Sequence, residues 1–182
     1  MDLSVTTYSS EDRARLLGLA RSAITAAVGG GAMPEVSGGV FDDRAGAFVT
    51  LHSSGRLRGC IGQTQAKRLA DVISHCAVAA AFDDPRFPPV TADEVAQLVI
   101  ELSILSPLER LDDPTKLEVG RHGLAVSFDG RRGLLLPQVA VEWDWTARTF
   151  LEQTCVKAGL PPDAWQRGAQ LHVFEAEIFS EP

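Results

Sequence analysis

A chain of 182 residues, 45% apolar and 23% charged, is long enough to bury a full hydrophobic core and has the composition of a globular protein. Its formal net charge of −7 repels phosphate backbones, which argues against nucleic acid as a partner. No apolar run approaches the roughly 20 residues that a membrane-spanning helix needs, so no membrane partner is expected either.

The first periodic segment follows TTYSSEDR, where Ser9 and Asp12 have the spacing of a capping box with Asp in place of Glu. Leu17, Ala20, Ile24, Ala27 and Val28 then recur at helical spacing, and the glycines of GGGAM stop the helix. The period changes at AFVTLH, a β-rich run that turns through SSGR into LRGCIG and predicts a hairpin or meander. From Ala66 onward Leu69, Val72, Ile73, Cys76, Ala79 and Ala80 lie on one helical stripe. DDPRFPPVT follows, and Pro85, Pro88 and Pro89 predict a stiff, extended loop with Arg86 and Phe87 turned inward.

VAQLVIELSIL reads as the strongest strand, with Ile100, Leu102 and Ile104 on one side and Val99, Glu101, Ser103 and Leu105 on the other. GLAVSF and RGLLL flank Asp129-Gly130 and predict a second hairpin. WTARTFLEQTCVKAG predicts a third helix, with Phe150, Leu151, Cys155 and Ala158 on its apolar face and Gly159 just past its end. LHVFEAEIF closes the chain as one alternating strand. Strands interleave with about three helices and several connections are hairpins. The expected fold is therefore α+β with a mostly antiparallel or mixed sheet, in a single unit without repeats or linkers.

Three cysteines fit a reducing compartment better than a disulfide framework, and MDLSVTTYSSEDR lacks a basic region followed by an apolar run. The expected location is the cytoplasm. The histidines (His52, His75, His122, His172) are scattered singly and no C-x-x-C or H-E-x-x-H spacing occurs, so no metal is expected. Neither a G-x-G-x-x-G nor a P-loop is present, and no cofactor is expected.

Cys76 and Cys155 sit on apolar helical stripes, where a thiol acts as a small hydrophobe. Cys60 is different. Strand alternation predicts Leu57, Gly59 and Ile61 on the core side and Arg58, Cys60 and Gly62 on the other. A guanidinium two residues away on the same face favours thiolate, and Gly59 and Gly62 leave backbone N–H groups accessible to an anion. The opposite reading is equally open: Gly59 admits a large neighbour, Cys60 packs, and Arg58 pairs with a carboxylate such as Glu101. Glu101, inside an otherwise apolar strand, must be exposed, functional or paired, with Arg58 or Arg86 as partner. Gln138 and Glu142 stand beside Trp143 and Trp145, whose expected role is core and rim packing.

RLRGCIG, DPRFPPV, ELSILSP, HGLAVSF, LLLPQVAVEW and FLEQTCVKAGL occur here in that order. Together they resemble the AmmeMemoRadiSam system protein A family. This is the bacterial and archaeal branch of a family named after a human contiguous-gene syndrome of Alport disease, midface hypoplasia and elliptocytosis. The resemblance runs from about Arg13 to Phe179, and Gln63 departs from the Thr more often found directly after RGCIG. It implies a larger and a smaller subdomain, with the RGCIG strand lining a cleft between them. It also implies two partners, a Memo-type protein similar to non-haem extradiol dioxygenases and a radical-SAM protein. It implies no reaction.

Two functions follow. In one, the protein binds a small anionic ligand and docks onto those partners, with Arg58, Gly59, Gly62, Arg86, Glu101, Gln138 and Glu142 as binding residues. In the other, Cys60 is a catalytic nucleophile or covalent carrier, Arg58 holds an anionic substrate group, and Glu101 or Glu142 moves protons. No histidine lies close in sequence to Cys60, which favours binding.

Overall fold

The computed structural model describes residues 7–182, so the first six residues of the N-terminal stretch read for a secretory signal lie outside the described residues. The fold is α+β, with two antiparallel four-stranded sheets and five α-helices among the described residues. The described residues divide into two compact units: 7–105 with Glu177–Pro182, and Ser106–Ala176.

In the first unit, helix α1 (Ser10–Gly29) starts where Ser9 Oγ accepts from the Asp12 amide at 3.1 Å and ends at Gly30, whose φ of 66° only glycine adopts readily. Strands β1 (Arg44–Ser53) and β2 (Arg56–Arg68) form a hairpin whose two-residue loop, Ser54-Gly55, has positive φ at both positions, matching strand twist. Helix α2 (Leu69–Phe82) follows β2 directly; Ala66 to Arg68, expected at the start of the helix, are still strand. A turn over Asp83–Phe87 opens the proline loop, which is therefore not extended throughout. A one-turn helix, α3 (Ala92–Val95), precedes β3 (Leu98–Leu105), so Val95, read as the start of that strand, is helical. The sheet order is β2-β1-β3-β8, with β8 spanning Ala176–Ser180. Val49, Leu51, Ile100 and Leu102 from its inner face pack with Leu16, Ile24, Leu69 and Ile73 of α1 and α2 in one core.

The second unit holds β4 (Glu109–Arg110), β5 (Gly123–Phe128), β6 (Arg131–Leu135) and β7 (Gln170–Phe174), ordered β4-β7-β5-β6. The Asp129-Gly130 hairpin forms as expected, with both residues at positive φ. Helix α4 (Pro137–Glu142) is short and begins at a proline; α5 (Ala147–Lys157) buries Phe150, Leu151 and Cys155 in this unit's own core. Two long-range features differ from the sequence reading. The closing run is two strands, β7 and β8, in different sheets, because pairing breaks at Glu175 although the alternation continues through it. The three long helices are accompanied by two short ones, α3 and α4.

Candidate functional site

The cross-strand register builds the site. Thr50 on β1 pairs with Cys60 on β2 and with Glu101 on β3, so three polar side chains stand abreast on the face opposite the core. Thr50 Oγ1 donates to Cys60 Sγ at 3.3 Å. Thr50 is buried, while Cys60 and Glu101 are half-buried. Glu101 makes no side-chain hydrogen bond or ion pair among the described residues; the expected partners, Arg58 and Arg86, are held by other carboxylates.

Strand β2 is an edge strand, and the groups that Cys60 turns outward find partners in the proline loop. The Cys60 amide donates to Asp84 Oδ2 at 2.9 Å, and Arg86 Nη2 reaches the Cys60 carbonyl at 3.4 Å. Asp84, 3% exposed, also accepts from the Arg86 amide at 3.1 Å, its Nε at 2.9 Å and its Nη2 at 2.7 Å. An Asp before proline accepting from the amide two residues on is a common turn device, and here the same carboxylate caps a strand edge. Arg86 is half-exposed rather than turned inward, yet it is fixed by Asp84 and lies 5.5 Å from the centre of the half-buried Phe87 ring.

Arg58 is pinned in the same manner. Its Nε and Nη2 donate to the two carboxylate oxygens of Glu94 at 2.9 and 3.2 Å, and Nη2 approaches the Pro89 carbonyl at 3.4 Å. Glu94 in turn belongs to the capping box of α3, accepting from the Thr91 amide at 2.8 Å. Both guanidiniums are therefore held side-on through Nε and Nη2. Arg58 Nη1 is left buried without a partner among the described residues.

The bare backbone beside Cys60 has packing reasons. A Cβ on Gly59 would lie 2.1 Å from the Ala80 carbonyl oxygen of α2, so glycine lets helix and strand approach. A Cβ on Gly62 would lie 2.2 Å from the Phe48 ring, which lies over it. The amide of Cys60 is likewise taken, by Asp84. The predicted facing also changes at one residue. Leu51 pairs with Gly59 but His52 pairs with Leu57, so Arg58 is an additional residue in β2. The bulge moves Leu57 onto the Cys60 face, where it is 41% exposed instead of in the core.

Burial pushes the Cys60 thiol up, against a lowering pull from the Thr50 hydrogen bond and the Arg86 charge; Asp84 and Glu101 push the same way as burial. The thiolate expected from Arg58 is thus not favoured, since Arg58 is occupied by Glu94 and the nearby cation is Arg86. Cys76 and Cys155 are buried, and burial with the neighbouring Cys60 pushes Cys76 up to about 11. The Arg86 contacts hold Asp84 well below the usual carboxylate range despite its burial. Hydrogen bonds from Arg58, then from Thr91, hold Glu94 at about 2.

Gln138 and Glu142 belong to α4 of the other unit: Gln138 Oε1 is buried without a partner and Glu142 is exposed. Trp143 is 68% exposed rather than packed, its ring 6.4 Å from that of Trp145. No group of three or more His, Cys, Asp or Glu is placed to hold a metal ion among the described residues, and no helix there is long and apolar enough to cross a membrane. Sequence reasoning missed Asp84, Glu94 and Thr50. The D-P dipeptide, the T-x-x-E spacing and the register of AFVTLH against RGCIG were their signals.

The chain is similar to protein Mbar_A1807 of Methanosarcina barkeri, 49% identical over 148 residues that cover 78% of this chain and 73% of the relative. It is 44% identical to protein MJ0810 of Methanocaldococcus jannaschii over 152 residues, 78% of this chain and 76% of that one. The crystal structure of uncharacterized protein PH0010 from Pyrococcus horikoshii superposes with a TM-score of 0.88 at 41% identity, covering 95% of this chain and 93% of that one. The family model described as AMMECR1 matches residues 17–179, and the chain belongs to the AMMECR1 family.

Proposed function

We propose that this protein is a cytoplasmic binding component that receives a small anionic ligand on the Cys60 face and acts with a Memo-type and a radical-SAM protein, the partners implied by the motif resemblance. The observation that carries the binding reading is the pair of side-on arginine–carboxylate contacts, Arg58–Glu94 and Arg86–Asp84. A guanidinium held through Nε and Nη2 keeps its Nη1 donors for a second acceptor, and a planar fork matches a carboxylate or phosphate. Glu101, without a side-chain partner among the described residues, supplies an acceptor for a donor group on the same ligand. Cys60 lines the site as a neutral thiol: its pKa is raised, and its side-chain hydrogen bond comes from Thr50 rather than from an imidazole that could act as base. Gly59 and Gly62 serve the packing of the strand that carries it.

Thermal denaturation with phosphate, malonate or succinate tests this reading. A binder raises Tm with concentration by mass action, beyond the general effect of excluded salts. We expect at least one of the three to raise the Tm of wild type and of Cys60→Ser, with the increment lost in Arg86→Gln. Equal increments in wild type and Arg86→Gln contradict a site at Arg86. The partner assignment is checked by co-fractionation with the Memo-type protein, and separate elution of the two at micromolar concentration counts against it.

A further inference from the structure

We infer that Asp84 is the positioning residue of the Cys60 site: its buried carboxylate joins the Cys60 backbone and the Arg86 guanidinium into one clip, fixing the strand that carries the sulfur and holding the cation beside it. The inference rests on the reading of the Cys60 face as the functional one, but its test needs no ligand. One buried carboxylate accepts from the Cys60 amide, the Arg86 amide and two guanidinium nitrogens, while Arg86 also reaches the Cys60 carbonyl. Both outward groups of a single edge-strand residue are thereby satisfied by side chains two positions apart in the loop. A connector loop has no need of this, because edge strands are commonly protected by charge or twist alone.

The charged and titratable groups facing Cys60 are Asp84 and Arg86 from the loop, Glu101 from β3 and Cys76 from α2; Arg58, on its own strand, is neutralised by Glu94. Of these Arg86 is the cation that pulls the thiol down, and Asp84 both fixes it at the Cys60 backbone and neutralises it there. Removing the Asp84 charge deletes an anion near the thiol and leaves Arg86, which still reaches the Cys60 carbonyl, without its neutralising partner. Removing Arg86 leaves two anions, Asp84 and Glu101, near the thiol with no cation. The two variants therefore act on the sulfur in opposite directions. A loop that merely packs would, when damaged, expose the thiol in the same way in both.

The experiment is the pH dependence of iodoacetamide labelling of Cys60, read by mass spectrometry on the full chain, in wild type, Asp84→Asn and Arg86→Gln. In Asp84→Asn the midpoint is expected to fall by about one pH unit, making labelling at neutral pH about tenfold faster. In Arg86→Gln, whose side chain is half-exposed and so less critical to folding, the midpoint is expected to rise. Cys76 and Cys155 should stay protected in both. Midpoints that shift in the same direction, or do not move, overturn the inference, as does simultaneous labelling of Cys76 and Cys155, which would mark Asp84 as a general structural support. If Asp84→Asn does not fold, the sign of the Arg86→Gln shift decides alone, a fall or no change refuting the clip. Loss of anion binding with these titrations as expected would refute the ligand reading and leave the clip standing.

Discussion

Cys60 sits between glycines because its strand must pass against a helix backbone on one side and under an aromatic ring on the other. That gives Gly59 a testable cost. Its Cβ would meet the Ala80 carbonyl at 2.1 Å, and backbone on both sides cannot yield as a flexible side chain could. Gly59→Ala should destabilise the protein by about 3 kcal/mol, at the upper end of overpacking costs, with Tm lowered accordingly in thermal melts. An unchanged Tm would mean that helix α2 slides freely. The three thiols should also separate cleanly. Cys60 is half-buried whereas Cys76 and Cys155 are 1% and 0% exposed, so a brief iodoacetamide pulse on native protein should label Cys60 first. Cys76 or Cys155 labelled ahead of it would contradict the placement of RGCIG. The burial of those two thiols was legible from helical periodicity alone. The bulge at Arg58 was not, because an additional residue leaves no mark on a composition that alternates poorly to begin with.

Among the elements, the segment from Asp83 to Glu94 does most to shape the site, and local pattern conveyed least about it. Its prolines announced stiffness, but what matters is a side chain reaching across 24 positions to a strand amide, a contact without periodicity. The acidic partners make this segment sensitive to pH. Glu94 titrates at about 2 when folded, below its ordinary 4.5, so its pairing with Arg58 stabilises the fold in full above 4.5 and is lost as pH falls toward 2. Glu94→Gln should therefore melt below wild type at pH 7, with the gap closing as the pH approaches 2. A gap that is constant across that range would show that the ion pair contributes nothing beyond shape. The closing segment teaches the complementary lesson. The run from Leu171 to Phe179 alternates on either side of a phase slip at Val173-Phe174, β7 and β8 join different sheets, and the partner strands decide where the run is divided. Hairpins at Ser54-Gly55 and Asp129-Gly130, by contrast, were readable because the turn requires residues that tolerate positive φ.

Taken whole, the chain has two units, each with its own sheet and core, and the Cys60 row belongs entirely to the first. Fold class was legible because interleaved hairpins and amphipathic helices admit few architectures. The division into two sheets was not, since nothing in composition shifts at Ser106. The acidic balance, −7 overall, predicts no duplex-DNA affinity tighter than about micromolar at physiological salt, which a fluorescence-anisotropy titration would check. The central claim is that the first unit receives an anion through Arg58 and Arg86 beside a neutral Cys60. It is tested most directly by amide chemical shifts of the 15N-labelled protein titrated with phosphate and malonate. The account predicts saturable shifts confined to the Arg58–Gln63 strand and the Asp84–Glu94 loop, abolished in Arg86→Gln. Shifts scattered over both units, or a saturable set elsewhere that persists in Arg86→Gln, would contradict it.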